Sequence, residues 1–391
     1  MTRTYRLGLV AQSVLGWTSM NETLSSVLES DSELDVSWIP ITYGDEGGWV
    51  ELVPGLSARH RGGLRAAAAV ARHLRRNRYD ALLFNATWLA VMAAPWTGRA
   101  VTAIMADLTP RQYDREAGHF AGQVADGFGP LARSKHALNR RVLRSTSLHF
   151  PASEWMARSL MDDYGVDPLN VHVLPFGVDL ALWHREPVDK SPLPQVLFVG
   201  GDFQRKGGDL LLDWFRKRGR GRCELTLVTA DAAVRNLREP GVAVYSDLTP
   251  RSDQLRRLFW RSDVVCLPSR SEPYGIAAVE GLAAGLPVVT SDTGGLAEIV
   301  EHGTCGFCVP AGDEDSLGGA LERLIESREL RLAMGIEARR RAEARFDAHA
   351  NFSWMISLVK QRVDRLRGAE SPRAEAVHRL SVDNDRAGRV L

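Results

Sequence analysis

Glu272 and Glu280 stand eight positions apart in SEPYGIAAVEGLAAG (271–285), on either side of a tyrosine-glycine turn. The preceding DVVCLPS (263–269) is an apolar strand pattern and Gly275 to Ala284 is a strong helix former, so SRSEPY is a loop leading from the carboxyl end of a strand into a helix. In open α/β sheets ligands bind at such loops. Glu272 sits on the loop, whereas Glu280 lies about one and a half turns into the helix at 3.6 residues per turn. The pair is therefore no tight dyad. The spacing suits two hydroxyl contacts along an extended ligand, with a helix N-terminus between them that aims free amides and a positive dipole at an anion. A phosphate group meets that description.

Small residues support the same picture. Gly275 permits close backbone approach, as do Gly294 and Gly295 in TSDTGGLAEIV, another strand-to-helix loop. Any one of these glycines alone is an ordinary turn; the set beside two carboxylates is not. A third loop, in FVGGDFQRKGGDLLLDWF (198–215), carries Arg205 and Lys206 just ahead of a helix that begins near Gly207. Two cations with helix amides behind them suit a diphosphate.

These loops need sheets to hold them. β-branched runs alternate with helical patterns from end to end, the signature of parallel sheets covered by helices. The first half offers strands at 6–12, 34–41, 80–86, 100–107, 147–153 and 171–177. A polar, proline-bearing linker follows at 184–195. The pattern then restarts with strands at 195–201, 223–231, 242–248, 263–269, 287–292 and 306–312, followed by charged helices. AHANFSWMISLV has an apolar face of Phe352, Met355, Ile356 and Val359, which must be buried, and a return to the first domain would bury it. The expected division is 1–185, 186–345, a crossing helix at 346–367 and a tail at 368–391 without a sustained apolar face. Asp383 and Asp385 form a D-x-D in that tail, where no rigid scaffold would organise a metal site.

Composition narrows the chemistry. A chain of 391 residues suggests two domains, and 45% hydrophobic and 25% charged residues with a net charge of +1 describe a globular protein that is not organised around nucleic acid. No run approaches the roughly 18 to 20 apolar residues of a membrane span, and the start of the chain lacks a signal-peptide pattern, so a cytoplasmic location is expected. Cys223, Cys266, Cys305 and Cys308 fit a reducing compartment, and the C-x-x-C of the last two has no second pair to complete a zinc set. Asn21, Asn85 and Asn351 open sequons that, without a secretion signal, are chance matches. Two basic stretches, ARHLRRNRY (71–79) and RSKHALNRRVLRS (133–145), are either solvated helix faces or a membrane- or polyanion-facing surface.

FVGGDFQRKGGDLLL, LPSRSEPYGIAAVEGLAAGLPVVTSDTGGLAEIVEHGTCGFCVP, and, closing the first half, FPASEWMARSLMDDYG and VHVLPFGVD together resemble the retaining glycosyltransferases of the GT-B fold, family four. The match runs in order over more than a hundred residues of the second half but touches only the end of the first. The resemblance implies two Rossmann-like, doubly wound domains facing across a cleft, with a nucleotide-sugar donor in the second domain and a hydroxyl-bearing acceptor in the first. It also implies that Glu272 lies by the transferred sugar and Glu280 on the ribose hydroxyls of the E-x7-E motif. The implied donor set is Gly16, Gly201, Arg205, Lys206, Glu272, Tyr274, Gly275, Ile276, Ala277 and Glu280. The catalytic candidates are Glu272, Asp107, Arg205 and Lys206.

Gly201 departs from the pattern, because the family usually carries an arginine there; Arg205, beside the matching Lys206, is the candidate substitute. In the first domain Gly16 is the candidate for the family's glycine-bearing loop near the donor phosphates. MADLTPRQYD (105–114) resembles a loop of one subgroup, which makes Asp107 either a site residue or a turn aspartate ahead of Thr109 and Pro110. No D-x-D falls on a site loop, so a metal-independent transfer from a UDP-linked sugar is expected, with no cofactor. The alternatives are a non-catalytic sugar-nucleotide-binding protein and, with less support, a GT-B phosphorylase, for which no pyridoxal phosphate lysine motif is present.

Overall fold

The structure, a computed structural model, describes residues 4–12, 16–41, 58–116, 130–184, 186, 188–189, 191–250 and 252–368. Asp383, Asp385 and the rest of the tail beyond Gly368 lie outside the described residues.

The first sheet contains β1 (Tyr5–Gln12), β2 (Leu34–Ile41), β3 (Ala81–Phe84), β4 (Val101–Ala106) and β5 (Leu148–Pro151), all parallel in the order β2-β1-β3-β4-β5. ALLF and LHFP are buried at every position because helices cover both sides, and that is why they appear as unbroken apolar runs rather than alternating ones. Helices α1 (Gly16–Ser30), α2 (Ala58–Arg76), α3 (Thr87–Ala93), α4 (Pro110–Glu116), α5 (Pro130–Ser145) and α6 (Glu154–Asp162) complete this half. On one sheet face Val10, Leu82, Phe84 and Ile104 pack with Val70 of α2, Leu89 of α3 and Leu143 of α5. Leu7, Leu9, Leu83 and Met105 point the other way, toward Met20 and Leu24 of α1.

The strand expected at 171–177 does not form. His172 and Leu174 donate backbone hydrogen bonds to His149 and Pro151 of β5, at 2.8 Å each, but the pairing stops at one isolated bridge, His149 with Val171. Pro151 has no N–H to return a bond, so the ladder cannot propagate past it.

The second sheet contains β6 (Gln195–Val199), β7 (Glu224–Val228), β8 (Val242–Tyr245), β9 (Val264–Leu267), β10 (Val288–Ser291) and β11 (Gly306–Val309) in the order β11-β10-β9-β6-β7-β8. The order reverses between β6 and β9, so the loops after these two strands diverge from a topological switch point. The helices are α7 (Gly208–Trp214), α8 (Asp253–Arg261), α9 (Ile276–Ala283), α10 (Glu314–Glu326), α11 (Arg328–Arg345) and α12 (Ala348–Leu366).

The chain crosses between the halves twice, and the crossings are stitched together. Val178 N donates to Phe346 O and Ala348 N donates to Val178 O, at 3.0 and 3.1 Å. From there α12 lies on the first half. Phe352, Met355, Ile356 and Val359 are buried, Tyr5 Oη donates to Asp364, and Lys360 reaches Asp31 and Glu33 beside β2.

Candidate active site

The loops after β6 and β9 are laced to each other. Gly207 heads α7 at φ +72°, and a Cβ there would lie 1.9 Å from Pro268 O, so only glycine allows the two loops to touch. Arg205 Nη1 donates to Ser271 O (2.7 Å), its Nε donates to Asp202 (3.1 Å), and Arg270 forms a two-pronged pair with Asp209 on α7 (2.7 and 2.8 Å). The result brings Lys206 Nζ to 2.8 Å from Glu272 Oε2, with the Arg205 guanidinium 3.7 Å from the same oxygen. All three side chains are largely shielded, so the pairing is stronger than a surface contact.

The helices from α7 onward differ in how they begin. Ser252, Asp313, Ser327 and Asp347 cap α8, α10, α11 and α12 with side-chain oxygens. By contrast α7 and α9, the two that start beside Lys206 and Glu272, are headed by left-handed Gly207 and Gly275 with no side-chain cap. The first amide of α7 is taken by Phe203 O (2.8 Å from Gly208 N), whereas the start of α9 faces the cleft, where an anion is favoured by both the amides and the dipole.

The other sequence candidates fall around this centre. Glu280 is buried inside α9, slightly over one turn from its start. Ile276 and Ala277 supply the first turn of α9. Tyr274 is buried and turned away: its hydroxyl donates to Phe176 O at 2.8 Å, tying the site loop to the first half, and burial raises its pKa. Gly201 is exposed, with open space where a side chain would project. Arg205, the proposed substitute for an arginine at that point, is a tie between loops as well as a cation. Gly16 is the first residue of α1, and residues 13–15 before it lie outside the described residues.

Asp107, at the carboxyl end of β4, comes from the first half to face the centre. Burial raises its carboxyl from 3.8 to about 6, backbone hydrogen bonds at Asp107 and Leu108 hold the rise back, and the Glu272 charge adds to it. The cap of α4 is Thr109, whose Oγ accepts from Gln112 N (3.2 Å) while the Gln112 side chain accepts from Thr109 N (2.9 Å); the backbone hydrogen bonds at Asp107 and Leu108 fit the turn aspartate that is the alternative to a site residue. The elevated value fixes a sign. Below 3.8 the carboxyl is protonated folded and unfolded alike, between 3.8 and about 6 only the unfolded chain ionises it, and above about 6 the native state bears the full cost. Asp107→Asn is therefore expected to raise Tm at pH 8 and to leave it nearly unchanged at pH 4; calorimetry giving equal shifts at both pH values would refute the assignment.

Sequence reasoning missed Glu298. Its carboxylate accepts from Glu154 N and Trp155 N, at 2.8 and 2.7 Å, and so seats a second-half residue on the N-terminus of α6 in the first half. The signal in GGLAEIV is only a glutamate on a turn, and its partners lie more than a hundred residues away. The sequon asparagines are structural: Asn85 is buried and bridges Gln12, Asn21 also donates to Gln12 O, and Asn351 donates to Pro175 O.

Two doubly wound sheets meeting at such a site define the GT-B fold. The chain matches the glycosyl transferases group 1 family over residues 182–341 and the glycosyl transferase 4-like domain over residues 38–177, and it belongs to the group 1 glycosyltransferases. It is 30% identical over 248 residues to the D-inositol 3-phosphate glycosyltransferase of Jonesia denitrificans, covering 56% of this chain and 58% of that one, so the chain spans less than two thirds of this curated relative's length. Among solved structures it is similar to sucrose-phosphate synthase from Thermosynechococcus elongatus (TM-score 0.71, 17% identity, 91% of this chain and 98% of that one). It is also similar to Anabaena HepE in complex with UDP-glucose (TM-score 0.66, 18% identity, 91% and 100%). At these identities the two structures share the fold.

Proposed function

We propose that the protein transfers a sugar from a nucleotide diphosphate sugar, UDP-linked, to an acceptor hydroxyl, with the anomeric configuration retained and no metal required. The observation that carries this reading is the uncapped start of α9 beside Lys206, Arg205 and Glu272, while α8, α10, α11 and α12 are capped by side chains. It supplies amides and two cations for a diphosphate, with a carboxylate for the sugar next to it. The solved likeness that binds UDP-glucose supports the choice of donor.

In this mechanism the bond from the anomeric carbon to the β-phosphate oxygen breaks, and the acceptor oxygen bonds the same carbon on the same face. The acceptor proton passes to the departing phosphate oxygen. Lys206, Arg205 and the α9 amides take up the charge on that phosphate, and Glu272 stabilises the positive character on the sugar. The test is UDP release from a panel of UDP-sugars with and without EDTA, followed by NMR of the product anomer. Turnover unaffected by EDTA and a retained anomer are expected; turnover lost with EDTA and restored by Mg²⁺ or Mn²⁺, or an inverted anomer, would overturn the mechanism, and no release from any nucleotide sugar would overturn the function.

A further inference from the structure

Arginines are distributed unevenly in this chain. Several of those on the second half meet carboxylates: Arg216 and Arg220 on Glu239, Arg218 on Glu322, Arg222 on Glu326, Arg341 on Glu301. The two longest helices of the first half's outer layer contain no acidic residue at all, α2 reading ARHRGGLRAAAAVARHLRR and α5 reading PLARSKHALNRRVLRS. Arg72, Arg75 and Arg76 on α2 are exposed, and Arg133, Arg140, Arg141 and Arg144 on α5 are too. Among the described residues no carboxylate pairs with any of these seven.

The helices are also placed to act together. α2 and α5 flank α3 on one face of the first sheet and share its core, so their solvent sides belong to one layer. Positions 72, 75 and 76 fall on one face of α2, and 133, 140, 141 and 144 fall on one face of α5. Crossover helices run antiparallel to their strands, so the carboxyl ends of α2 and α5, where most of these arginines sit, lie at the end of the sheet away from the cleft. A few cations in a last turn are explained by the helix dipole. Seven without a carboxylate partner among the described residues are not, when the chain's net charge is only +1.

We infer that this face docks the protein on a lipid bilayer carrying anionic headgroups, with the cleft left open to solution. Charge complementarity selects an anionic partner. Leu138, 55% exposed on α5 and one turn before Arg141 at the edge of the arginine face, selects a bilayer over a nucleic acid, because an apolar side chain bordering arginines can enter the acyl boundary but gains nothing against phosphodiesters. No helix among the described residues is long and apolar enough to span the bilayer, so the contact is with its surface.

The experiment is sedimentation of the full chain with vesicles of phosphatidylcholine alone or phosphatidylcholine with phosphatidylglycerol, at low and high salt. Binding to the phosphatidylglycerol vesicles only, released by salt, is expected. Arg140→Gln/Arg141→Gln/Arg144→Gln should lower partitioning about a hundredfold, at the usual contribution of each basic residue near an anionic surface, with UDP affinity unchanged. The corresponding substitutions of Arg72, Arg75 and Arg76 give the same readout should the α5 variant not fold, and Leu138→Ser should lower partitioning several-fold. Equal binding to both vesicle types, no binding, undiminished partitioning of either arginine variant, or binding to duplex DNA without binding to vesicles would overturn the inference.

Discussion

Glu272→Gln is expected to cut turnover by about a hundredfold or more while leaving UDP affinity nearly unchanged, the scale of losing one charge aimed at a transition state. The substitution keeps the shape of the side chain and removes the negative charge that stands 2.8 Å from Lys206 and that the proposed mechanism sets beside the sugar. Lys206 then loses a carboxylate partner but no phosphate contact. Glu280→Gln should do the opposite. Its position within α9 is assigned to the ribose hydroxyls, which UDP and UDP-sugars share, so both affinities should fall together. Calorimetric binding of UDP beside turnover for the two variants separates these outcomes. Equal loss of UDP affinity in both would mean that the roles are misassigned, and a small loss of stability with full activity in both would make them a loop residue and a helix residue of no catalytic consequence.

A second large effect is expected from a single methyl group. Gly294 adopts φ +53°, and a Cβ there would stand 2.2 Å from the carbonyl oxygen of Glu272. Gly294→Ala must therefore move either the turn at Gly294–Glu298 or the backbone that carries Glu272. Strain of this kind costs on the order of 2 kcal/mol or more and lowers Tm by several degrees. Turnover should fall about tenfold or more, because positioning errors near an ångström are expensive in catalysis. Gly303→Ala is the matched comparison: φ is +81°, but its Cβ would meet open space, so it bears the conformational cost alone and should keep its activity. If both variants lose the same stability and neither loses turnover, the Gly294 contact does not position Glu272.

Most of the scaffold was legible because its signals are local. VVCL and VVTS are buried along their whole length, and a run of that kind has one stable home, the middle of a parallel sheet. Arg205, Lys206, Glu272 and Gly275 fell on strand-to-helix loops that the alternation of patterns already located, so their convergence could be expected without coordinates. The strand expected at 171–177 failed for a reason that lies elsewhere in the chain, at Pro151. Glu298, Arg270 with Asp209, and the hydroxyl of Tyr274 were invisible for the same reason. Each is given its task by a partner far away in sequence, and no periodicity records such a pairing. Tyr274 shows how position in a motif and direction of a side chain are separate facts: the residue is on the site loop, yet its ring packs on Phe176 with centroids 5.2 Å apart.

The return of α12 to the first half has a consequence for the order in which the molecule can be made. Tyr5, Leu7 and Ala81 of the first sheet meet Ile356, Val359 and Val363, and among the described residues no earlier element takes that place. A nascent chain that has completed β1 to β5 still carries an open apolar face, and it must keep that face through the synthesis of the entire second sheet. The leading domain therefore cannot bury this part of its surface in the native way before the second sheet has been made. Its first half is completed only by a helix that follows the whole of the second.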